Sequence, residues 1–521
     1  MTDAFDYVVI GAGSAGAAVA ARLSEDPAVR VALIEAGPAD THEAIHIPAA
    51  FPGLFKTPLD WDYDTEPEPG LGGRRAYLPR GRMLGGCSSM NAMIYIRGNR
   101  VDYDDWAAGG ATGWSYDEVL PVFRRFEDNE RGASEYHGAG GPLTVSEGRS
   151  LNPLGEAWIE AAVAAGLERN DDFNGATQEG VGRFQMTQRN GLRCSTAVAY
   201  LHPAMDRPNL TILTGALAHR LLLEGSRVTG VEISRGGEVE QVRADVEVVV
   251  SAGAYGSAQL LMLSGIGPAE HLAALQIPVA ADLPVGQGLQ DHYMSMFNYL
   301  TDHETLMSAM SEENVALLQE QGRGPLTSNI GEAGGFVRTR PDLTAPNVQF
   351  HQAPVLFYAD GTGPAVAHGF AFGPCVLKPT STGTVLLRSP DPATAPRITH
   401  GYLTTPEDRQ AILDGIRLGQ EIAQQPALKD VITGEFEVPQ GSTDAELLAY
   451  AARTGQTLYH PTSTCAIGAV VDPQLKVHGF DNLRVADASV MPTVVRGNTN
   501  APTIMIGERA AEFIARDHAA R

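Results

Sequence analysis

The fold of this chain is decided by the stretch Tyr7-Val8-Val9-Ile10-Gly11-Ala12-Gly13-Ser14-Ala15-Gly16. A β-branched run leads into a glycine-rich turn, and the Ala-rich sequence up to Leu23 is typical of a helix. A second apolar run, Val31-Ala32-Leu33-Ile34, ends at Glu35, about 20 positions after the last glycine. A strand, a glycine turn, a helix, a strand and an acidic residue in this order predict a βαβ unit that binds a dinucleotide.

Each part of this unit has a physical role. Gly11 permits the tight turn, Gly13 lets the backbone approach a pyrophosphate, and Gly16 lets the helix pack closely on the strand. The helix N-terminus offers free N–H groups to phosphates, and Glu35 can accept hydrogen bonds from ribose hydroxyls. The motif alone does not distinguish NAD from FAD, and a βαβ unit that binds nothing is the bland alternative. FAD is favoured because no second unit of this kind follows and because of motifs far down the chain.

Composition and charge exclude several classes of function. The 521 residues predict two domains or one interleaved body. The net charge of −24 repels phosphate backbones and anionic lipids, so we expect no nucleic-acid or anionic-membrane partner. The four cysteines form no CxxC pair, which predicts no metal site and fits a reducing compartment. Because we find no secretory signal and no run long enough to span a bilayer, we expect a cytoplasmic α/β enzyme.

Several later segments are rich in glycine, small polar residues or acidic turns. Residues 80–91 carry two arginines and could wrap a phosphate or a flavin with backbone N–H groups, with a plain surface loop as an equal alternative. An apolar strand over 246–251 runs into a second glycine turn and helix, which could also meet the cofactor. Nearer the C-terminus lie Tyr459-His460-Pro461, the turn Asp487-Ala488, and Asn498-Thr499-Asn500 before an apolar helix.

Together these segments resemble the glucose–methanol–choline (GMC) oxidoreductases, which are FAD enzymes that act on alcohols. The similarity covers essentially the whole chain, from Gly11–Gly16 to Asn498-Thr499-Asn500. One minor departure is Ala258, which stands where the family usually has proline. Within the family the chain looks most like choline dehydrogenases and choline oxidase, through the stretches 60–63, 261–272 and 332–336.

The resemblance implies a fold and a division into domains. The expected fold is α/β, with a Rossmann-like FAD-binding domain interleaved with a substrate domain built on an antiparallel sheet with helices. The FAD-binding domain would comprise residues 1–150, 192–296 and 457–521. The substrate-binding domain would comprise residues 151–191 and 297–456.

The resemblance also implies roles for single residues. His460 matches the family's active-site histidine, and Asn500 matches its partner, which is a histidine in some members. We therefore predict oxidation of a primary alcohol to an aldehyde by hydride transfer to flavin N5, with His460 as the base and Asn500 as a hydrogen-bonding partner. The predicted FAD contacts are Gly11, Gly13, Ser14, Gly16, Glu35, Ala36, Arg82, Gly86, Ser88, Asn91, Ala92, Met93, Ile94, Ala218, Asp487, Ala488, Asn500 and Thr503.

The substrate is less well defined by the sequence. His351 matches a second active-site histidine of choline oxidase, with a satisfied core histidine as an equal alternative. Trp61 and Tyr63 could form an aromatic cage for a quaternary ammonium group and Glu332 could add a counter-charge, although packing or flavin binding would explain them as well. Choline is therefore one candidate among several primary alcohols.

The remaining expectations concern the cofactor linkage and competing functions. Met90 stands where some family members attach FAD through a histidine, which predicts non-covalent FAD. The electron acceptor is oxygen or another molecule, and a homodimer is a further expectation. The alternatives are a choline-specific enzyme, an FAD-containing lyase of the hydroxynitrile-lyase type, a non-enzymatic nucleotide-binding protein and, from the first motif alone, an NAD-dependent dehydrogenase.

Overall fold

The structure is a computed structural model and describes residues 4–519. Two large sheets organise the chain, and one cavity is lined by residues of both. This arrangement confirms the predicted α/β fold with a Rossmann-like part and an antiparallel sheet. The domain boundaries stay predictions, and the short strand Tyr293–Met294 joins the second sheet although it lies within the range 192–296.

The first sheet has a parallel centre, which the antiparallel strands Arg227–Arg235 and Ala216–Glu224 extend on one side. Ala4–Ile10 pairs in parallel with Val31–Ile34 on one side and with Glu238–Val250 on the other. Residues 8–10, 31–34 and 248–250 of these strands are apolar and buried, as expected where helices cover both faces of a parallel sheet. In spatial order the strands are Leu210–Leu213, Val31–Ile34, Ala4–Ile10, Glu238–Val250, Arg227–Arg235 and Ala216–Glu224, with Leu483–Val485 also paired to Glu238–Val250.

Two of the helices beside this sheet come from opposite parts of the chain. Ser14–Leu23 follows the first strand, whereas Asn500–Ala519 is the last helix. Their backbones approach closely because residue 507 is glycine, where a Cβ atom would stand 2.6 Å from the carbonyl oxygen of Ala15. An ion pair of 3.0 Å between Arg22 and Glu508 also joins them.

The second sheet is antiparallel throughout and contributes part of the cavity wall. The helices Pro153–Ala164 and Pro406–Ala423 cover one of its faces, where Trp158 packs against Phe350 with ring centres 6.1 Å apart. In spatial order its strands are Gly434–Glu437, Phe297–Leu300, Gly369–Val376, Val348–Ala353, Ala333–Val337 and Gly180–Arg183. The short strand Tyr293–Met294 also pairs with Gly369–Val376, and Gln456–Thr457 pairs with Tyr293–Met294.

The period of two along the strand Val348–Ala353 decides which side chains reach the cavity. Val348 and Phe350 belong to the core beneath the helices. Successive side chains of a strand point to opposite faces, so Gln349, His351 and Ala353 share the other face. His351 and Ala353 of this face line the cavity, and Gln352 between them also contributes to the lining.

Shorter elements connect and flank the two sheets. The remaining strands are Tyr63–Asp64, Tyr77–Leu78, Glu127–Asn129, Leu143–Val145, Gln188–Arg189, Leu192–Arg193, Gln287–Leu289, Gly383–Leu386 and Arg397–Thr399. The remaining α-helices are Glu43–His46, Arg100–Ala108, Tyr116–Phe126, Gly253–Leu263, Ala269–Ala274, Glu312–Gln321, Pro426–Lys429 and Asp444–Thr454. Within residues 4–519 no helix combines the length and the apolar character that crossing a bilayer needs.

Candidate active site

The cavity runs from the glycine turn of the first sheet to His460 and the second sheet. We call the part lined by Gly11, Gly13, Ser14, Glu35 and Ala218 the dinucleotide end. The part lined by His351, His460 and Asn498 is the catalytic end. Most of the predicted FAD contacts line this cavity. They are Gly11, Gly13, Ser14, Glu35, Ala36, Gly86, Asn91, Ala92, Met93, Ile94, Ala218, Asp487, Ala488, Asn500 and Thr503.

The glycine turn is closed so tightly that side chains are excluded from it. Gly11 has φ +102°, and a Cβ atom there would stand 2.3 Å from the carbonyl oxygen of Ser251. A Cβ atom at Gly16 would stand 1.9 Å from the carbonyl oxygen of Gly11. Gly16 therefore packs the helix onto the turn and does not line the cavity. The helix begins at Ser14, so its free N–H groups lie at the cavity wall, where a phosphate would be bound.

Glu35 is held against this turn by backbone donors. Its two carboxylate oxygens accept hydrogen bonds from the N–H groups of Ala12, at 3.0 Å, and Gly37, at 2.8 Å. Burial raises the pKa of Glu35 to about 7, while these hydrogen bonds act in the opposite direction. Each oxygen keeps a further lone pair, so Glu35 can still accept hydrogen bonds from ribose hydroxyls.

The loop that contains residues 80–91 docks directly on the glycine turn. The N–H group of Gly85 donates to the carbonyl oxygen of Ala12 at 2.8 Å, and a Cβ atom at Gly86 would stand 2.7 Å from the Cα atom of Gly13. Two predicted cofactor contacts in this loop lie outside the cavity lining. Ser88 donates to the carbonyl oxygen of Gly85 at 2.6 Å and so holds the loop, whereas the Arg82 guanidinium lies 4.9 Å from the ring centre of Trp61.

A buried arginine lies behind this loop and was not singled out from the sequence. Arg193 donates to the carbonyl oxygens of Ile45, Ser88 and Asn91 and to the side-chain oxygen of Asn91. Among the described residues no carboxylate pairs with it, and burial lowers the pKa of Arg193 to about 9. An uncompensated buried cation one residue behind the cavity wall fits a site for an anionic cofactor.

A second strand–turn–helix unit, Glu238–Val250 followed by Gly253–Leu263, is hydrogen-bonded to the C-terminal part of the chain. The carboxylate of Asp487 accepts hydrogen bonds from the N–H groups of Gly253 and Ser489, at 2.9 and 2.8 Å, and from the Ser257 hydroxyl. Asp487 is thus a structural bridge at the wall of the cavity. Glycine turns, exposed helix donors, Glu35 and the unpaired Arg193 together fit a bound FAD.

At the catalytic end, a buried aspartate fixes the position of His460. Asp291 accepts a hydrogen bond from the N–H group of His460 at 2.7 Å and another from the Thr457 hydroxyl at 2.6 Å. The Tyr402 hydroxyl donates to the same carboxylate. These bonds hold the turn after the strand Gln456–Thr457, which presents the His460 ring to the cavity.

A second histidine determines which nitrogen of His460 carries the proton. The Nε2 atom of His292 lies 3.0 Å from the carbonyl oxygen of Leu377 and must donate to it, because a carbonyl can only accept. In neutral His292 the Nδ1 atom is then an acceptor, so the Nδ1–H group of His460 donates to it across 2.9 Å. The Nε2 atom of His460 is therefore unprotonated and can only accept a hydrogen bond.

The electrostatic surroundings keep both rings neutral. Burial lowers the pKa of His292 to about 4. The pKa of His460 lies well below its ordinary value because of burial and of the nearby His292, His351 and Arg80. At neutral pH the catalytic end thus offers an unprotonated Nε2 atom, which can act as a proton acceptor.

The asparagine beside His460 is Asn498 and not the predicted Asn500. The side-chain nitrogen of Asn498 lies 3.4 Å from His460 Nε2, while its oxygen accepts a hydrogen bond from Gln349 at 3.2 Å. Asn500 is the first residue of the last helix, and its oxygen accepts a hydrogen bond from the Ser14 hydroxyl at 2.8 Å. The two asparagines lie two positions apart, and the start of the helix turns the second one toward the dinucleotide end.

The three predicted substrate residues lie in different places. His351 is buried in the cavity lining, neither ring nitrogen has a hydrogen-bond partner, and burial lowers its pKa to about 3. Trp61 lines the cavity, but its ring stacks on Tyr63 and also contacts the guanidinium group of Arg82. Glu332 lies outside the lining and accepts hydrogen bonds from the N–H group of Asn152 and the Ser328 hydroxyl. Only His351 therefore stands beside His460.

Comparisons with known proteins agree with the geometry. Family models described as GMC oxidoreductase match residues 5–294 and 379–507. An alcohol dehydrogenase [acceptor] of Pseudomonas putida is 42% identical, over 98% of this chain and 96% of that protein. The mitochondrial choline dehydrogenase of Mus musculus is 43% identical, over 98% of this chain and 89% of that protein. A formate oxidase variant of Aspergillus oryzae, studied for FAD modification, superposes with a TM-score of 0.93 at 26% identity, over the whole of both chains.

Proposed function

The chain belongs to the GMC oxidoreductases, and from this premise we propose that it oxidises a primary alcohol to an aldehyde at bound FAD, with His460 as the base. The observation that carries the proposal is the unprotonated Nε2 atom of His460, which accepts a long hydrogen bond of 3.4 Å from the side-chain amide of Asn498. Both groups lie at the wall of a cavity that also contains the dinucleotide turn.

The cofactor would be held mainly by the backbone of the dinucleotide end. The N-terminus of the helix Ser14–Leu23 would bind the pyrophosphate, and Glu35 would bind the ribose. Arg193 fixes the oxygen of Asn91, which leaves the amide N–H groups of Asn91 free to donate. When bound, FAD supplies the acceptor for the hydride that leaves the alcohol carbon.

At the catalytic end the residues would deal with the hydroxyl group of the alcohol. The hydroxyl group of the alcohol donates a hydrogen bond to His460 Nε2. His460 would take this proton as the bond between the alcohol carbon and its hydrogen breaks. The side-chain amide of Asn498 donates to the same oxygen and stabilises the negative charge that develops there. His351 has two unpaired ring nitrogens at the cavity wall and would give the oxygen a further hydrogen bond.

The linkage to FAD is proposed to be non-covalent. Met90 is buried at the cavity wall and offers only a thioether, which does not form the bond that a histidine forms in other family members. We expect acid precipitation to release all FAD into the supernatant; flavin that stays with the precipitated protein would contradict this. The homodimer, the cytoplasmic location and the choice between oxygen and another electron acceptor stay predictions.

The test is anaerobic reduction of the flavin. The purified protein is mixed with a panel of primary alcohols and its visible absorbance is followed in a stopped-flow instrument. We expect bleaching by at least one alcohol, and a His460→Ala variant that keeps its flavin but is reduced about 10² to 10⁴ times more slowly. His478→Ala, at an exposed histidine outside the cavity, is the matched control and should change nothing.

Two outcomes would contradict the proposal. A His460→Ala variant with an unchanged reduction rate would remove His460 as the base. A yellow protein that no alcohol bleaches would instead favour a lyase of the same fold.

A further inference from the structure

We infer that the natural substrate is an uncharged, apolar primary alcohol and not a quaternary ammonium alcohol such as choline. The inference rests on the proposed function and specifies its substrate. It comes from the side chains that surround the catalytic end of the cavity and from the charges that are present and absent there.

Two apolar clusters form the walls around the catalytic histidines. One contains Met294, Met296 and Leu458 with Phe357 packed against them, and Leu458 lies two residues before His460. The other contains Phe51, Met90, Ile330 and Ala353, with Phe55 packed against it. All of these side chains line the cavity. An alcohol whose hydroxyl group reaches His460 therefore places the rest of its body among aliphatic, thioether and aromatic groups.

No carboxylate is available to a cation at this end. Of the described residues that line the cavity, only Glu35 and Asp487 carry carboxylates, and both bind backbone N–H groups near the dinucleotide end. Glu332, the counter-charge expected from the sequence, is buried outside the cavity lining. Its carboxylate already accepts hydrogen bonds from the N–H group of Asn152 and the Ser328 hydroxyl. Asp291 is also outside the lining and already accepts four hydrogen bonds.

The charge that is present has the wrong sign for a cation. Arg80 lines the cavity, and its guanidinium donates to the carbonyl oxygen of Tyr459 at 2.8 Å, next to His460. A trimethylammonium group bound here would lose its hydration and would meet this positive charge. The rings of Phe55, Phe357 and Tyr459 could attract a cation through their faces, but no carboxylate of the described residues at this end of the cavity adds a counter-charge to that attraction.

The decisive experiment compares two alcohols of the same shape. Choline is tested against dimethylbutanol, in which a tert-butyl group replaces the trimethylammonium group. For each alcohol the anaerobic rate of flavin reduction is measured as a function of concentration, and the second-order rate constants are compared. We expect the neutral alcohol to react at least about a hundred times more efficiently. We also expect the second-order rate constant of linear alcohols to rise about fourfold per added methylene group until the apolar walls are filled.

Each outcome decides between the two proposals. Equal or better reduction by choline would overturn the apolar substrate and leave the proposed function intact. If neither choline nor any uncharged alcohol reduces the flavin, the proposed function fails and the inference fails with it.

A pair of variants tests the electrostatic cause directly. Phe357 is suited to substitution because the side chain of Asn298 binds both its N–H group and its carbonyl oxygen, so the loop stays anchored. Phe357→Glu should narrow the preference for the neutral alcohol by about tenfold relative to Phe357→Gln, which has the same shape without the charge. The same preference in both variants would overturn the electrostatic basis of the inference.

Discussion

The two ends of the cavity are built in different ways. At the dinucleotide end the cofactor would meet glycine turns and the backbone N–H groups of a helix terminus. At the catalytic end the groups are side chains, and His351, His460 and Asn498 come from three separate segments. A site made of backbone needs glycine at fixed positions and therefore leaves a motif. A site made of side chains depends on how distant segments meet, which no local pattern records.

The largest effect that separates the two ends is expected from Gly11→Ala. A Cβ atom at this position would overlap the carbonyl group of Ser251, and φ is +102°. We expect the free energy of unfolding to fall by about 3 kcal/mol or more and the flavin to be lost. The flavin-to-protein absorbance ratio and the melting temperature measure this.

The control for this prediction is Gly53→Ala. Apart from its chain neighbours and the backbone of its own helical turn, no described heavy atom lies within 4 Å of the position where its Cβ atom would be. Full flavin content is therefore expected in Gly53→Ala. Full flavin content in Gly11→Ala as well would show that the dinucleotide end does not depend on its backbone shape.

At the catalytic end, His292→Leu tests a side chain that never touches the substrate. Leucine removes the acceptor for the Nδ1–H group of His460, so the ring can protonate at either nitrogen. We expect flavin reduction to slow about tenfold to a hundredfold with flavin content unchanged. His292→Asn restores an acceptor near the Nδ1 position and should recover most of the rate. Equal losses in both variants would mean that His292 acts by packing alone.

The two neighbouring asparagines offer a sharper comparison, since they serve different ends of the cavity. Asn498→Ala removes the donor beside His460 and should slow flavin reduction about tenfold while flavin stays bound. Asn500→Ala removes the acceptor for Ser14 and should weaken FAD retention while the reduction rate of the bound flavin stays within about twofold. Rates at saturating alcohol and FAD dissociation during dialysis distinguish the two, and exchanged effects would restore Asn500 as the partner of His460.

The smallest effect concerns pH. The pKa of His460 lies well below its ordinary value, so its neutral, proton-accepting form prevails at neutral pH and is lost only as pH falls through the lowered pKa. The limiting rate of flavin reduction should therefore change less than about twofold between about pH 6 and pH 9. A clear inflection near the ordinary histidine pKa of about 6.5 would show that the ring is solvated in the working enzyme.

Much of the fold could be predicted from the sequence for a physical reason. Buried parallel strands demand continuous apolar runs, and the glycine turn demands Gly11 and Gly16, so both leave local patterns. Glu35 was found because a fixed spacing ties it to the turn. The resemblance to a family then extended these local signals to the second sheet, whose alternating strands carry no such spacing.

The catalytic end was predicted only in part, and the misses have a common cause. Whether Asn498 or Asn500 faces His460 depends on the residue at which the last helix begins. His292 is oriented by the carbonyl group of Leu377, which directly follows the strand Gly369–Val376 and is distant in sequence. The residues around Arg193 in the sequence do not distinguish it from a surface arginine. In each case the partner is distant in sequence, so no pattern within a short window reveals it.

The pairing of the first and last helices has a consequence for the synthesis of the protein. Ser14 binds Asn500 and Arg22 binds Glu508, 486 positions apart in each case. The strand Leu483–Val485 also completes the sheet beside Glu238–Val250. A nascent chain therefore emerges from the ribosome with its dinucleotide turn already made but without the segments that close it. We therefore expect the polypeptide to bind FAD, and so to acquire its colour, only after the last helix has left the ribosome.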